Sequence, residues 1–327
     1  MREPHFWTVT DKRSRASAPV IKLLLTPLSM LYRWAGRRRI ARTTPHDAGL
    51  PVICIGNLTL GGAGKTPVTA AVRAHFASHG ARVASLSRGY RGSILIPTHV
   101  DTLTHTAAEV GDEPLMLAAT GEAWISRDRP AGATAMKEAG VQIVIMDDGH
   151  QNPTLKKSLS IVVIDGTNPF GNGHVFPKGP LREPVAEGLA RADAVVIMGG
   201  SETPAALASF PGVVLRAHLA PLAPMPPGRY IAFAGIGRPE RFFDSLQAQP
   251  GVELSESVPY PDHHAFQPSD LAYLMKLSKE RDARLVTTDK DHVRLSPDVK
   301  GHVMRASVEA KFEDPAAFAA LLDRALR

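Results

Sequence analysis

Pro51-Val52-Ile53-Cys54-Ile55-Gly56 runs directly into Asn57-Leu58-Thr59-Leu60-Gly61-Gly62-Ala63-Gly64-Lys65-Thr66-Pro67. The first six residues are a short apolar, β-prone run; the amphipathic stretch from Pro67 to His79 reads as a helix, and the glycines make the turn between them. Glycines let backbone N–H groups point inward around phosphate oxygens, and a helix N-terminus faces the same spot. Lys65 can then reach the β- and γ-phosphates of a nucleotide, and the Thr66 hydroxyl can ligate Mg²⁺. A strict phosphate-loop pattern has glycine five positions before Gly64, where Thr59 stands. The strand before and the helix after are the context that makes such a match meaningful. The expected nucleotide contacts are therefore Thr59, Gly61, Gly62, Ala63, Gly64, Lys65 and Thr66, with ATP and Mg²⁺ as the bound species.

Outward from this unit, Arg82 to Ser87, Val141 to Met146, Leu159 to Ile164 and Ala194 to Met198 are continuous apolar runs, the signature of parallel strands buried on both faces. Helical stretches between several of them, one near Glu113 to Thr120, predict an α/β fold: a P-loop NTPase with a doubly wound, mostly parallel sheet. The proline-dense stretch Ala220 to Arg229 reads as a linker. Beyond it, Tyr230 to Ala234 and Arg284 to Thr288 read as strands, with helices around Arg238 to Gln247, Pro268 to Arg281 and Pro315 to Leu326. The expected organisation is a docking segment at 1–45, a P-loop core at 46–220, a linker at 221–229 and a smaller α/β domain at 230–327, consistent with 327 residues at roughly 100 to 200 per domain.

Basic residues outnumber acidic ones by 38 to 32, and the excess gathers near the start in Lys12, Arg13, Arg15, Lys22, Arg33, Arg37, Arg38, Arg39 and Arg42. That asymmetry points to an anionic partner. No RNA-type aromatic motif or zinc-finger spacing accompanies it, so nucleic acid is not expected. Between Ala18 and Ala35 the chain is apolar but broken by Lys22, Pro27 and Arg33, too short and interrupted for a membrane span of about 20 residues. No small-residue cleavage site follows, so the segment is expected to stay on the protein. Tyr32 and Trp34 beside the arginines suit a helix lying in the headgroup layer of an anionic membrane surface, with packing on the protein's own core as the alternative. The single cysteine, Cys54, fits a reducing compartment.

Val141 to Met146 delivers Asp147-Asp148-Gly149-His150 to a strand's carboxyl end, where ligands of such sheets bind; Asp147 or Asp148 is expected to hold Mg²⁺ directly or through water. In Gly111-Asp112-Glu113-Pro114 two acids stand ahead of a helix, equally readable as an N-cap or as catalytic groups. In Pro261-Asp262-His263-His264 a histidine oriented by a carboxylate is a better reading than a metal site. Arg182, in the rigid loop Phe176-Pro-Lys-Gly-Pro-Leu-Arg182-Glu183-Pro184, suits a phosphate, as does Ser87-Arg88-Gly89-Tyr90-Arg91.

Taken in order, GGAGKTP, SRGY, GDEP, DDG, GPLREP and PDHH resemble the tetraacyldisaccharide 4′-kinase family over about Pro51 to His264, and the basic helix before them is also typical. The resemblance implies ATP-dependent phosphorylation of the 4′-hydroxyl of an acylated disaccharide 1-phosphate, giving lipid IVA, by a peripheral or monotopic protein on the cytoplasmic face of the bacterial inner membrane. No obligate protein partner is implied. It also implies a catalytic Asp112 with His263 as its partner in a proton-accepting dyad. Lys65 and Thr66 then serve phosphate and Mg²⁺, Asp147, Asp148 and Glu113 the metal site, and Arg88, Tyr90, Arg182 and Glu183 the substrate and its phosphates. The family usually reads DDGFQH, where this chain has Asp147-Asp148-Gly149-His150-Gln151-Asn152, leaving His150 as the nearby histidine. A different reading is a GTPase switch or metallochaperone-type protein; its guanine-reading Asn-Lys-x-Asp is matched poorly by Thr287-Thr-Asp-Lys290-Asp291-His292. A lipid-binding adaptor would leave the phosphate cradle without a purpose.

Overall fold

The computed structural model describes residues 4–9 and 14–326. Lys12 and Arg13 of the basic N-terminal run lie outside them. Strands β1 (Val52–Gly56), β2 (Val83–Ser87), β3 (Thr98–His99), β4 (Ala123–Ile125), β5 (Ile143–Asp147), β6 (Leu159–Asp165), β7 (Ala194–Met198) and β8 (Val213–Pro221) belong to one sheet. A second sheet holds β9 (Gly228–Ala234), β10 (Val252–Pro259), β11 (Arg284–Thr288) and β12 (Val303–Ala306). The last strand, β13 (Val308–Phe312), returns to the first sheet.

The larger sheet has nine strands in the order β13-β8-β7-β6-β1-β5-β2-β4-β3. All pairings from β8 across to β4 are parallel; β13 and β3 are antiparallel edges. Central strands are buried along their whole length because helices cover both faces. On one face, Val68, Val72 and Phe76 of α2 (Lys65–Ser78) pack against Ile53, Ile55 and Ile145. Helices α3 (Ala107–Val110) and α4 (Asp112–Ala118) precede β4, and α5 (Arg129–Glu138) covers the opposite face with Ala133 and Met136 against Cys54 and Val144. The expected doubly wound α/β sheet is borne out. Each fully buried aliphatic side chain in these clusters contributes about 1.5–3 kcal/mol.

Short α6 (Val185–Leu189) follows the Arg182 loop. The four-stranded sheet, order β10-β9-β11-β12, is parallel throughout and carries α7 (Pro239–Gln247), α8 (Pro268–Arg281), α9 (Asp289–His292) and α10 (Pro297–Lys300). Two expected boundaries are corrected. The proline-dense stretch is regular at both ends, since β8 runs to Pro221 and β9 starts at Gly228. The smaller unit does not extend to 327, because β13 pairs with β8 and Phe318, Leu321 and Leu322 of α11 (Pro315–Arg324) complete the core of the larger sheet.

The N-terminal helix α1 spans Pro19–Arg42, so the arginine cluster lies inside it rather than after it. Its only buried residue is Ser29, whose hydroxyl donates to the Val175 carbonyl at 2.7 Å. Val20, Leu23, Leu24, Met30, Leu31 and Trp34 are all more than half exposed, which rules out packing of these side chains on the core. Among the described residues no helix is long and apolar enough to cross a membrane.

Candidate active site

The phosphate loop begins where β1 ends. Gly64, at φ +81°, turns the chain into α2, whose first residues are Lys65 and Thr66. A side chain at Gly64 would be strained in that left-handed conformation and would meet Met198 at 3.3 Å. The loop carbonyls are held in place: Asn57 Nδ2 donates to Gly61 O at 3.0 Å, and Arg182 Nε donates to Thr59 O at 3.0 Å. This leaves the cradle N–H groups and the start of a 14-residue helix directed at one point.

Asp147 ends β5 beside β1, and Asp148 follows in the left-handed region at φ 49°. The conformation carries strain of about 1–3 kcal/mol and turns the two carboxylates in different directions. Asp147 is 1 % exposed; it accepts from Thr69 Oγ1 at 3.0 Å and Ser87 Oγ at 3.4 Å. Burial, reinforced by the charge of Glu113, pushes its carboxyl up to about 7. Asp148 accepts from Arg182 Nη1 at 2.9 and 3.0 Å and lies 3.5 Å from Lys65 Nζ. Although burial opposes it, Lys65 and Arg182 hold Asp148 down at about 2.

Among the described residues no three His, Cys, Asp or Glu side chains are arranged to hold a metal ion by themselves. The donors present are hard oxygens: Thr66 in the first turn of α2, Asp147 and Asp148, with Glu113 near enough to raise Asp147. That set fits Mg²⁺, which keeps several waters and shares nucleotide phosphates instead of requiring a protein cage.

Asp112 opens α4, and its carboxylate does not cap that helix. Gly111 fixes the entry, at φ +91° with a would-be Cβ 2.7 Å from the Tyr90 carbonyl. The Asp112 carboxylate leaves the helix and reaches the second sheet, where His263 Nδ1 lies 3.0 Å from Oδ2 and Arg294 Nη2 donates to the same oxygen. Burial works against it, yet the hydrogen bonds from His263 and Arg294 hold the Asp112 carboxyl well below the usual carboxylate range. His263 is itself in the left-handed region at φ 60°, fastened by its N–H to the Gly235 carbonyl at 3.0 Å.

Sequence reasoning paired Asp112 with His263 but missed the groups around them. Arg294 is 7 % exposed and anchored by Asp291, which is fully buried, at 2.9 Å. Lys290 Nζ lies 3.1 Å from His263 Nε2 and 3.1 Å from Asp262 Oδ1. Lys290 and Asp291 belong to the segment set against a guanine-reading motif, and its place beside His263 leaves the switch reading without support. The other expected residues are spread more widely. Arg88 and Tyr90 are exposed just beyond the end of β2. Glu183 is engaged at both oxygens, by Gln151 at 3.0 Å and Arg191 at 2.6 Å, so it braces the loop that carries Arg182. His150 does not reach toward the cradle: it is 2 % exposed with Nε2 on the Gly188 carbonyl at 2.9 Å, and burial pushes it down to about 4. Asn152 closes a local turn on Thr154 N at 2.8 Å.

The model of the tetraacyldisaccharide-1-P 4′-kinase family matches residues 21–327. A tetraacyldisaccharide 4′-kinase of Hyphomonas neptunium is 55% identical over 98% of this chain and 97% of that protein. One of Maricaulis maris is 50% identical over 98% and 96% respectively. The crystal structure of LpxK from Aquifex aeolicus in complex with ATP superposes with a TM-score of 0.76, covering 94% of this chain and all of that one at 24% identity, which shows a shared fold.

Proposed function

The chain belongs to the tetraacyldisaccharide-1-P 4′-kinase family, and from that premise we propose how its residues divide the work. The enzyme transfers the γ-phosphate of ATP to the 4′-hydroxyl of an acylated disaccharide 1-phosphate, forming lipid IVA in lipid A biosynthesis. Asp112 accepts the proton of that hydroxyl while His263 orients the carboxylate. The observation that carries this assignment is the Asp112–His263 contact at 3.0 Å, made across the two sheets while neighbouring Glu113 acts electrostatically on Asp147.

Lys65 and the loop N–H groups bind the nucleotide phosphates, and Arg182 adds a planar cation beside the cradle. Thr66, Asp147, Asp148 and Glu113 would hold Mg²⁺, which would supply positive charge against the charge developing on the transferring phosphate. Arg88 and Tyr90 meet the acceptor's sugar or phosphate, a role supported by their exposure just beyond the end of β2. The exposed apolar side chains of α1, with Arg33, Arg37, Arg38, Arg39 and Arg42, dock the enzyme on the anionic cytoplasmic face of the inner membrane, where the acceptor's acyl chains lie.

Asp112→Asn is the test. It keeps the shape and removes the base, so turnover is expected to fall by about 10²–10⁴ while nucleotide affinity stays near wild type. Near-normal turnover would overturn the assignment.

A further inference from the structure

We infer that Lys290 is a positioning residue for phosphoryl transfer: its ammonium fixes His263 as the Nδ1–H tautomer, the form that donates to Asp112. The inference rests on the reading of Asp112 as proton acceptor. Four charged groups face the ring: Asp112 at Nδ1 (3.0 Å), Arg294 Nη2 near Nδ1 (3.1 Å), Lys290 Nζ at Nε2 (3.1 Å) and Asp262 Oδ2 near Nε2 (3.8 Å).

An ammonium can only donate, so a hydrogen bond from Lys290 requires a lone pair on Nε2. The ring proton then sits on Nδ1 and points at the Asp112 carboxylate. With the proton on Nε2 instead, an N–H would face an ammonium and a lone pair would face a carboxylate, two repulsions in place of two hydrogen bonds. A doubly protonated ring would keep the first of them. Arg294 Nη2, 3.1 Å from Nδ1, has its shorter contact with Asp112 Oδ2, to which it donates, and its Nη1 is held by Asp291 Oδ1 at 2.9 Å, so Asp112 remains the acceptor that a proton on Nδ1 faces.

Lys290 is held firmly enough to do this. It lies in the first turn of α9, where Thr288 Oγ1 accepts from Asp291 N at 3.1 Å and donates to Asp291 Oδ2 at 2.8 Å. The buried Asp291 also accepts from Gly235 N at 3.0 Å, and Gly235 is the residue whose carbonyl fastens His263 N. One small network thus sets the position of both the ring and the ammonium.

The arrangement has a chemical consequence. Both ring nitrogens of His263 are engaged, so the proton released in transfer passes to Asp112 and not to the imidazole. The acceptor O–H bond breaks with its proton going to the carboxylate, and its electron pair forms the new O–P bond. The bond from the γ-phosphorus to the bridging oxygen breaks, leaving its pair on ADP.

The test compares the wild-type full chain with Lys290→Met and Lys290→Arg, using ¹⁵N-histidine NMR to read the His263 tautomer and single-turnover kinetics to read transfer. Wild type is expected to show protonated Nδ1 and unprotonated Nε2 at neutral pH. Lys290→Met is expected to lose that signature and to slow transfer by about 10- to 100-fold with ATP affinity unchanged, and Lys290→Arg to restore most of both. A Lys290→Met enzyme that keeps the Nδ1–H tautomer, or transfers within twofold of wild type, overturns the inference. Normal turnover in Asp112→Asn would instead remove the reading beneath it, so the two failures are distinguishable.

Discussion

Asp147 and Asp148 are neighbours in the chain and opposites in charge behaviour. The strand buries Asp147 among hydroxyls beside Glu113, which favours its acid form; a left-handed turn sends Asp148 to Lys65 and Arg182, which favour its anion. For Asp147 the folded value is raised to about 7, above that of an unfolded aspartate. Its contribution to stability is therefore greatest in acid and declines as pH rises toward 7, the reverse of the usual aspartate. Metal binding requires the carboxylate, so affinity for Mg²⁺ and ATP together is expected to weaken below pH 7 by up to about tenfold per pH unit. Calorimetric titrations at two pH values on either side of 7 check this, and a flat profile would contradict it. At this scale the sequence revealed the groups that act locally: the cradle from Gly61 to Thr66 lies on one strand, loop and helix, and the paired acids end a single apolar strand. It did not reveal Arg294, which meets Asp112 across 182 residues, because only the crossing of two sheets creates that contact.

Among the elements, the central strands were legible because burial on both faces leaves continuous apolar runs. Strands β10 and β13 are only partly covered at sheet edges, and their sequences, VELSESVP and VEAKF, carry no such run. Helix α1 was legible in kind, though its length was not. Its contacts with the body are sparse and mostly polar: Ser29 to Val175 at 2.7 Å, Arg33 to Glu187 at 2.6 Å and Arg39 to the Gln151 carbonyl at 2.9 Å, besides the Tyr32 ring edge-on to Phe176 at 5.4 Å. Most of its apolar side chains, among them Val20, Leu23, Leu24, Met30, Leu31 and Trp34, face outward, a patch that water disfavours. If this face enters a membrane, replacing Leu23, Leu24 and Leu31 together by Ser reduces binding to anionic phospholipid vesicles by at least tenfold and leaves the melting temperature unchanged. Vesicle co-sedimentation measures it; unchanged binding would remove the docking role from α1.

For the whole molecule, the nine-stranded sheet supplies the phosphate loop and Asp112, and the four-stranded sheet supplies His263, Lys290 and Arg294. The return of β13 and α11 to the larger sheet means that the chain leaves and re-enters it on adjacent strands, β8 and β13, so the smaller unit is tethered at both ends. Composition could not show this, since α11 looks like any amphipathic helix until its partner face is known. Ion pairs across the units, Arg294 with Asp112 and Arg238 with Asp165 at 2.7 Å, bring the proton acceptor and its partners together beside the cradle. The most direct test is transfer of label from γ-labelled ATP to tetraacyldisaccharide 1-phosphate in mixed micelles, with Lys65→Ala and Asp112→Asn alongside. Labelled lipid formed by wild type and lost in both variants is the result predicted here, whereas ATP hydrolysis with no labelled lipid would contradict it.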